Sequence, residues 1–196
     1  MNKRFLRSLS LVSAFLIATA TATSSTAAEY KIDDGGKHAF IQFKVNHLGY
    51  SYLLGDFPDF TGSFTYDAEN PGASKVDVSI DTASVDTRHA KRNVHIRSAD
   101  FLDVKKYPKA SFVSTSYEES GNGNAVLNGD LTLHGVTKPV ALEVTKIGEG
   151  KDPWGNYRAG FEGSTTITMS DFGMNYDLGE ASRTVEIYVS IEGIQN

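Results

Sequence analysis

Short segments in which apolar and polar residues alternate dominate the chain. In residues 127–133 three leucines share one parity and polar residues take the other, as in a strand with one buried face. Gly135 then supplies a turn, and Pro139, with its fixed φ and missing N–H, suits the start of a new strand. The alternation resumes at Val140. Residues 129–140 therefore predict a β-hairpin: the end of one strand, a turn at Gly135 and the start of the next strand.

The same alternation recurs through most of the chain. It predicts strands at residues 29–32, 41–46, 60–66, 76–81, 110–117, 125–133, 140–147, 157–169 and 184–192. Clusters of Gly, Pro, Asn and Asp separate them, as at residues 33–36, 70–72, 121–124 and 152–155. Eight or nine such strands indicate an all-β domain whose antiparallel sheet has one solvated face.

Residues 86–107 interrupt this rhythm. The segment is charged, lacks a period of two, and predicts one or two short helical turns, the first capped by Thr87 and the second, at 99–103, capped by Ser98. Long insertions of this kind in compact β domains are often functional, for example as a lid over a barrel mouth. The segment carries a concentrated group of basic residues: Arg88, His89, Lys91, Arg92, His95 and Arg97.

The N-terminus has the pattern of a secretory signal. Lys3, Arg4 and Arg7 precede an apolar run at residues 9–18, and small residues follow up to Ala28. We expect cleavage after Ala28, which gives a signal peptide at 1–28 and one domain at 29–196; a retained membrane anchor is the alternative. No later segment is apolar and long enough to be a transmembrane helix. The sequence therefore predicts a soluble protein that is exported to the periplasm, with no stable membrane insertion.

Charge and cysteine content narrow the class of protein. The predicted signal peptide holds three of the 19 Lys and Arg and none of the 24 Asp and Glu. The mature chain therefore has 16 basic against 24 acidic residues, a net charge of −8. That balance argues against nucleic acid or an anionic membrane as the main partner. The chain has no cysteine, so it has neither a disulfide nor a lipid-modified N-terminal cysteine.

No catalytic or metal-binding pattern stands out. The chain lacks a Gly-x-Ser-x-Gly elbow, a cysteine nucleophile and a phosphate-binding glycine loop. The pairs His89/His95 and His38/His47 have spacings unlike those of zinc sites. His134, at the end of the predicted hairpin, most simply hydrogen-bonds a turn. We therefore expect no enzymatic activity, no metal and no cofactor.

Several separated motifs occur along the chain: His47-Leu48-Gly49-Tyr50-Ser51 with Gly55, Phe57, Phe60 and Gly62; Ser84-Val85-Asp86-Thr87; residues 95–102, HIRSADFL; Tyr107-Pro108 with Phe112; residues 129–140; Trp154-Gly155 with Arg158, Gly160 and Phe161; and Asp171-Phe172-Gly173. Together they resemble the YceI-like proteins, a bacterial lipocalin-like family described as polyisoprenoid-binding. They span the predicted mature chain in the expected order.

The resemblance implies a single eight-stranded antiparallel lipocalin-like barrel with a short helical insertion near residues 88–103 and a deep apolar pocket for a long-chain lipid. A barrel of about eight strands is just wide enough to be filled by side chains or to hold one small ligand. Each buried methylene contributes about 0.8 kcal/mol, so a ten-carbon tail is worth about 8 kcal/mol before entropy costs. The expected ligand is an isoprenoid, a quinone-like molecule or a fatty amide, bound for sequestration or transport.

The pocket wall is predicted from inward parity, which cannot separate residues that line a void from ordinary core. The candidates are Phe43, Val45, Phe60, Phe64, Val78, Ile80, Phe112, Leu131, Leu142, Phe161, Ile167 and Phe172.

Contacts to a polar or phosphorylated head group are predicted in the basic segment, at Arg88, Arg92, His95 and Arg97. One alternative is a solvated helical face paired with Asp86, Asp100 and Asp103. The other is that His95, Ser98, Asp100 and Phe101 fix the lid against the barrel.

Two rival functions stay open. A stress-linked structural or interaction protein would use the barrel as a filled scaffold and expose an apolar patch elsewhere. An enzyme acting on a bound lipid is less favoured and would need a titratable pair facing the pocket. The sequence is compatible with a monomer or a homodimer.

Overall fold

A computed structural model describes residues 27–34 and 38–196, so the predicted signal segment lies outside the described residues except for its last two positions. The described part contains one α-helix, α1 (Ala90–Ile96), and ten strands: β1 (Ala28–Ile32), β2 (Phe40–His47), β3 (Ser51–Asp56), β4 (Phe60–Tyr66), β5 (Lys75–Asp81), β6 (Lys109–Gly121), β7 (Asn124–Leu133), β8 (Val136–Lys151), β9 (Tyr157–Thr168) and β10 (Thr184–Gln195). All nine predicted strands are present.

The sheet closes into an eight-stranded antiparallel barrel, as predicted. Strands β4 to β10 pair in chain order, and β1 pairs with both β4 and β10, so the ring has no free edge there. β2 continues beside β10 where β1 ends, and the β2–β3 hairpin lies outside the ring of eight.

β3 was not predicted, because its apolar residues do not alternate. Tyr52 and Leu54 are exposed on one face while Leu53 is partly buried on the other. β3 pairs along its length only with β2, and on its other side makes a single bridge, Asp56 with Asp86. A strand at the margin of a sheet has no buried partner to impose the usual alternation.

The hairpin between β7 and β8 has a two-residue turn at His134 and Gly135, whose φ angles are 51° and 74°. Turns with both φ values positive match the twist of the flanking strands. The prediction that Pro139 starts the second strand is wrong: β8 begins at Val136, and Pro139 pairs with Asp130 inside it. β9 pairs with β8 only from Glu143 onward, so the missing N–H breaks no bond to β9.

The predicted helical insertion is present, but its cap is not the predicted one. His89 is the N-cap of α1, and its Nδ1 accepts a hydrogen bond from the Arg92 N–H at 3.2 Å. Thr87 cannot cap the helix because its buried hydroxyl is bonded to Asn93 instead. The second predicted helix, at 99–103, is a series of hydrogen-bonded turns anchored on the carbonyl of Ser98. Across the described residues, no helix is long and apolar enough to cross a membrane.

Candidate functional site

The barrel encloses an elongated cavity of about 470 Å³, within the range of pockets that hold small molecules. Leu127, Leu131 and Leu133 of β7 all line it. Six residues of strand separate the first from the last, so the cavity extends for about 20 Å along β7. Its wall is formed mostly by aliphatic and aromatic side chains from every strand of the ring.

One end of the cavity is closed. Tyr66, Ser74 and Tyr117 line it there, and all three are buried. Burial raises the pKa of the Tyr117 phenol, which therefore stays neutral. The Lys146 ammonium lies over the Tyr66 ring, 4.6 Å from its centroid, and pairs with Glu149. A half-buried ion pair thus adjoins the closed end.

The other end is open and has an apolar rim. Leu48 at the tip of the β2–β3 hairpin and Tyr176 in the loop before β10 line the cavity, yet are 49% and 44% exposed. Arg92, His95 and Ile96 of α1 line the same end. The mouth therefore lies between the hairpin tip, α1 and the loop at residues 173–183, which confirms that the insertion covers one end of the barrel.

Three phenylalanine rings of the lining lie flat against the wall because glycines face them. A Cβ on Gly55, Gly129 or Gly193 would come within 2.3–2.4 Å of the ring of Phe43, Phe112 or Phe64, respectively. Real Cβ atoms essentially never approach a heavy atom this closely, so each ring occupies space that only glycine leaves free. Rings seated in this way narrow the interior less than rings that project into it.

Ten of the twelve predicted wall residues line the cavity: Phe43, Val45, Phe64, Val78, Ile80, Phe112, Leu131, Leu142, Phe161 and Ile167. Phe60 and Phe172 do not. Phe60 is buried in a core cluster with Tyr30 and Ile32, and Phe172, 2% exposed, is buried in a 3₁₀ turn among core residues. Phe60 has inward parity and Phe172 is apolar, but each is packed among core side chains and neither reaches the cavity.

Sequence reasoning missed other lining residues of two kinds. Ile41 and Leu127 share parity with predicted neighbours and could have been found by that signal. Leu48, Phe101 and Tyr176 lie in turns and loops at the mouth, where no periodicity identifies an inward side.

Of the four predicted head-group residues, the structure brings Arg92 and His95 to the mouth. Arg88 is exposed and lies outside the lining. Arg97 also lies outside it; its Nη2 donates to the carbonyl of Val85 at 2.7 Å, which ties the segment to the barrel end. The four basic residues therefore divide into two at the mouth and two elsewhere.

His95 is held by the neighbours that the lid-fixing alternative named. Its Nε2 lies 2.9 Å from Asp100 Oδ2, and its ring packs edge-on against Phe101 and Tyr176. Ser98 Oγ donates to the His95 carbonyl at 2.7 Å. Among the described residues no hydroxyl is hydrogen-bonded to the His95 ring, so the dyad has no nucleophile beside it.

Within the described part of the chain, one group of side chains is close enough to hold a metal: Asp33, His38 and Glu192. A guanidinium already lies there. Arg158 Nη1 donates to Asp33 Oδ2 at 2.9 Å and to Glu192, while its Nε donates to Asp152 at 2.6 Å. The arginine supplies the positive charge that these carboxylates need, and the cluster joins the ends of β1, β9 and β10.

Comparison with known proteins agrees with this architecture. The family model of the YceI-like domain matches residues 30–193. A UPF0312 protein of Ectopseudomonas mendocina (strain ymp) is 61% identical over 169 residues, which cover 86% of this chain and 88% of that protein.

Two solved structures share the fold. The Campylobacter jejuni YCEI protein is 30% identical with a TM-score of 0.70, over 78% of this chain and 91% of that one. A polyisoprenoid binding domain from Saccharophagus degradans is 17% identical with a TM-score of 0.64, over 87% of this chain and all of that one, a likeness that shows the fold alone.

Proposed function

The chain belongs to the YceI-like family, and from that membership and its cavity we propose that it is a non-enzymatic protein that binds the hydrocarbon tail of an amphiphilic lipid. The observation that carries the proposal is the closed-ended apolar cavity of about 470 Å³ with its mouth at α1. The Saccharophagus degradans domain of the same fold is named for polyisoprenoid binding, which supports an isoprenoid among the proposed ligands; a quinone-like molecule and a fatty amide are the other two.

Burial of the tail drives binding. A ten-carbon tail transferred from water into the barrel gains about 8 kcal/mol before the entropy costs of association. The seated phenylalanine rings keep the interior open before the ligand arrives, so little side-chain rearrangement opposes entry. The polar end of the ligand stays at the mouth beside Arg92 and His95.

The cavity weighs against the rival of a filled scaffold. That rival requires a solid core, whereas the described residues enclose a void lined by every strand of the ring. Within the part of the chain that the structure describes, the His95–Asp100 dyad at the mouth has no hydroxyl bonded to it, so the dyad lends the enzyme alternative no support.

We further propose that the protein sequesters or transports its lipid in the periplasm. The support is the signal pattern at residues 1–28. The predicted mature chain has no cysteine, so it folds without a disulfide in an oxidising compartment. A lipid crossing an aqueous compartment requires a cavity that shields its tail from water.

The test is lipid recovery from protein purified from its own host. Organic extraction and native mass spectrometry should find one long-chain lipid per protein. Leu142→Trp, which fills the interior from β8, should lose that lipid, whereas Ile147→Trp should keep it because Ile147 lies on the same strand but is 63% exposed. Empty protein, or equal lipid recovery from both variants, would contradict binding inside the barrel.

A further inference from the structure

The guanidinium of Arg92 is oriented by neutral groups and not by a carboxylate. Its Nε donates to Thr87 Oγ1 at 2.8 Å, and its Nη2 donates to the Thr87 carbonyl at 2.6 Å. Lys44, Lys109, Lys146 and Arg158 each pair with an acidic side chain. Arg92 has no such pair among residues 27–34 and 38–196. A fixed positive charge therefore lies at the mouth without a carboxylate partner.

A buried chain of hydrogen bonds holds Thr87 in place. Thr87 Oγ1 donates to Asn93 Oδ1 at 2.6 Å, and Asn93 Nδ2 donates to Asp86 Oδ1 at 2.7 Å. The bond from Asn93 and the backbone N–H of Arg88 lower the pKa of the Asp86 carboxyl, which keeps it an acceptor. The side-chain donors of Arg92, Thr87 and Asn93 thus follow one direction toward Asp86, and Arg92 lies at the outer end of this series of hydrogen bonds.

The arrangement leaves one edge of the guanidinium unused. Arginine has five N–H donors, and Thr87 takes two of them along the Nε–Nη2 edge. Three donors remain at the Nη1–Nη2 end, enough for a bidentate contact with a carboxylate or phosphate. The other two predicted arginines do not reach the cavity: Arg88 and Arg97 both lie outside its lining, and Arg97 is tied to the Val85 carbonyl.

We infer that the mouth is an anion subsite in which the free end of the Arg92 guanidinium binds a carboxylate or phosphate at the head of the bound lipid. The inference rests on the proposed function, because the tail must lie in the barrel for its head to reach Arg92. His95, with its ring fixed by Asp100, flanks the head group.

Three probes with one hydrocarbon chain separate head from tail: palmitate, palmityl phosphate and palmityl alcohol. Their dissociation constants are measured by calorimetry on delipidated, full-length mature protein. Both anions should bind about ten- to hundred-fold more tightly than the alcohol, and Arg92→Gln should weaken the anions by about that factor more than it weakens the alcohol. Arg92→Lys should keep more affinity for the phosphate than for the carboxylate, since lysine offers only a point charge.

The control is Arg88→Gln, which removes the same charge from the same segment outside the lining and should leave all three affinities unchanged. If Arg92→Gln does not fold, the wild-type protein still tests the inference. Added salt should weaken the binding of the two anions and not that of the alcohol. Equal binding of the three probes to wild type would overturn the anion subsite and leave the proposed function standing. Binding of none would overturn both.

Discussion

Gly55→Ala perturbs the device that keeps the cavity open. A Cβ at this position would lie 2.3 Å from Phe43 Cζ, 2.7 Å from Phe43 Cε1 and 2.9 Å from Thr87 Cγ2. All three atoms belong to side chains, and Gly55 has no positive φ, so alanine suits the backbone. Relief of the clash requires the Phe43 ring to leave the wall and turn into the interior, together with a smaller shift of the Thr87 methyl group.

The expected cost relative to a glycine-to-alanine change without a clash is about 1 kcal/mol in the free energy of unfolding, and the net loss against wild type is at most about 0.6 kcal/mol. Overpacking a core costs about 1–3 kcal/mol, and the cavity beside Phe43 favours the lower end because the ring has somewhere to go. Replacing glycine also restricts the unfolded chain, which returns about 0.4–1 kcal/mol. The displaced ring narrows the cavity, so palmityl alcohol should bind more weakly.

Urea unfolding followed by far-UV circular dichroism measures the loss; Trp154, 80% exposed, is a poor reporter of the core. Gly148→Ala is the matched control, since it also lies in a strand, has no atom within 4 Å of its added Cβ and should be neutral or slightly stabilising. Phe43→Leu should relieve the clash, giving a coupling of at least about 0.5 kcal/mol with Gly55→Ala. If Gly55→Ala matches Gly148→Ala and shows no coupling, Phe43 does not lie against Gly55.

Two further predictions concern stability. Partial burial raises the pKa of the Asp152 carboxyl, but hydrogen bonds from Arg158 and neighbouring amides outweigh the burial and hold that pKa far below its ordinary value. The stability that this group contributes is therefore present above about pH 4, the pKa in unfolded chains, and is lost as the pH falls further. Asp152→Asn should therefore lower the melting temperature at pH 7, with a gap to wild type that narrows toward pH 2; a constant gap would contradict the ion-pair account. Phe172→Ala should cost about 3–5 kcal/mol in urea unfolding, and Leu131→Ala, which faces the cavity, should fall near the lower end of its range of about 2–5 kcal/mol; a cost of about 5 kcal/mol for Leu131→Ala would contradict a void beside that side chain.

Alternation along the chain was sufficient to predict an antiparallel sheet with one solvated face, and the resemblance to the YceI-like family implied that this sheet closes into a barrel. The inward and outward faces of β6 to β10 follow a period of two because one face meets the interior and the other meets water. The pattern did not predict β3, because Tyr52 and Leu54 are apolar although they lie on an exposed face. Its marginal position is set by pairing with β2, a long-range property that local patterning does not encode.

The cavity was harder to predict than the sheet. Phe112 and Phe172 are both apolar, but only Phe112 lines the void, because Gly129 on the neighbouring strand leaves room for its ring. Phe172 is instead surrounded by protein in its 3₁₀ turn. Whether an aromatic side chain fills or borders a space depends on the residue facing it, which strand parity leaves undefined.

The most recognisable stretch of sequence, residues 129–140, shapes the cavity more than it contacts a ligand. Gly129 receives the Phe112 ring, and Gly135, with a φ of 74°, forms the turn where a Cβ would meet Tyr107 at 2.3 Å. Leu131 lines the void directly. Tyr107 lies outside the cavity lining, so Gly135 shapes the turn, whereas Gly129 sets where the Phe112 ring rests against the interior. Gly129 therefore bears on ligand binding through Phe112, although it offers a ligand no side chain to contact.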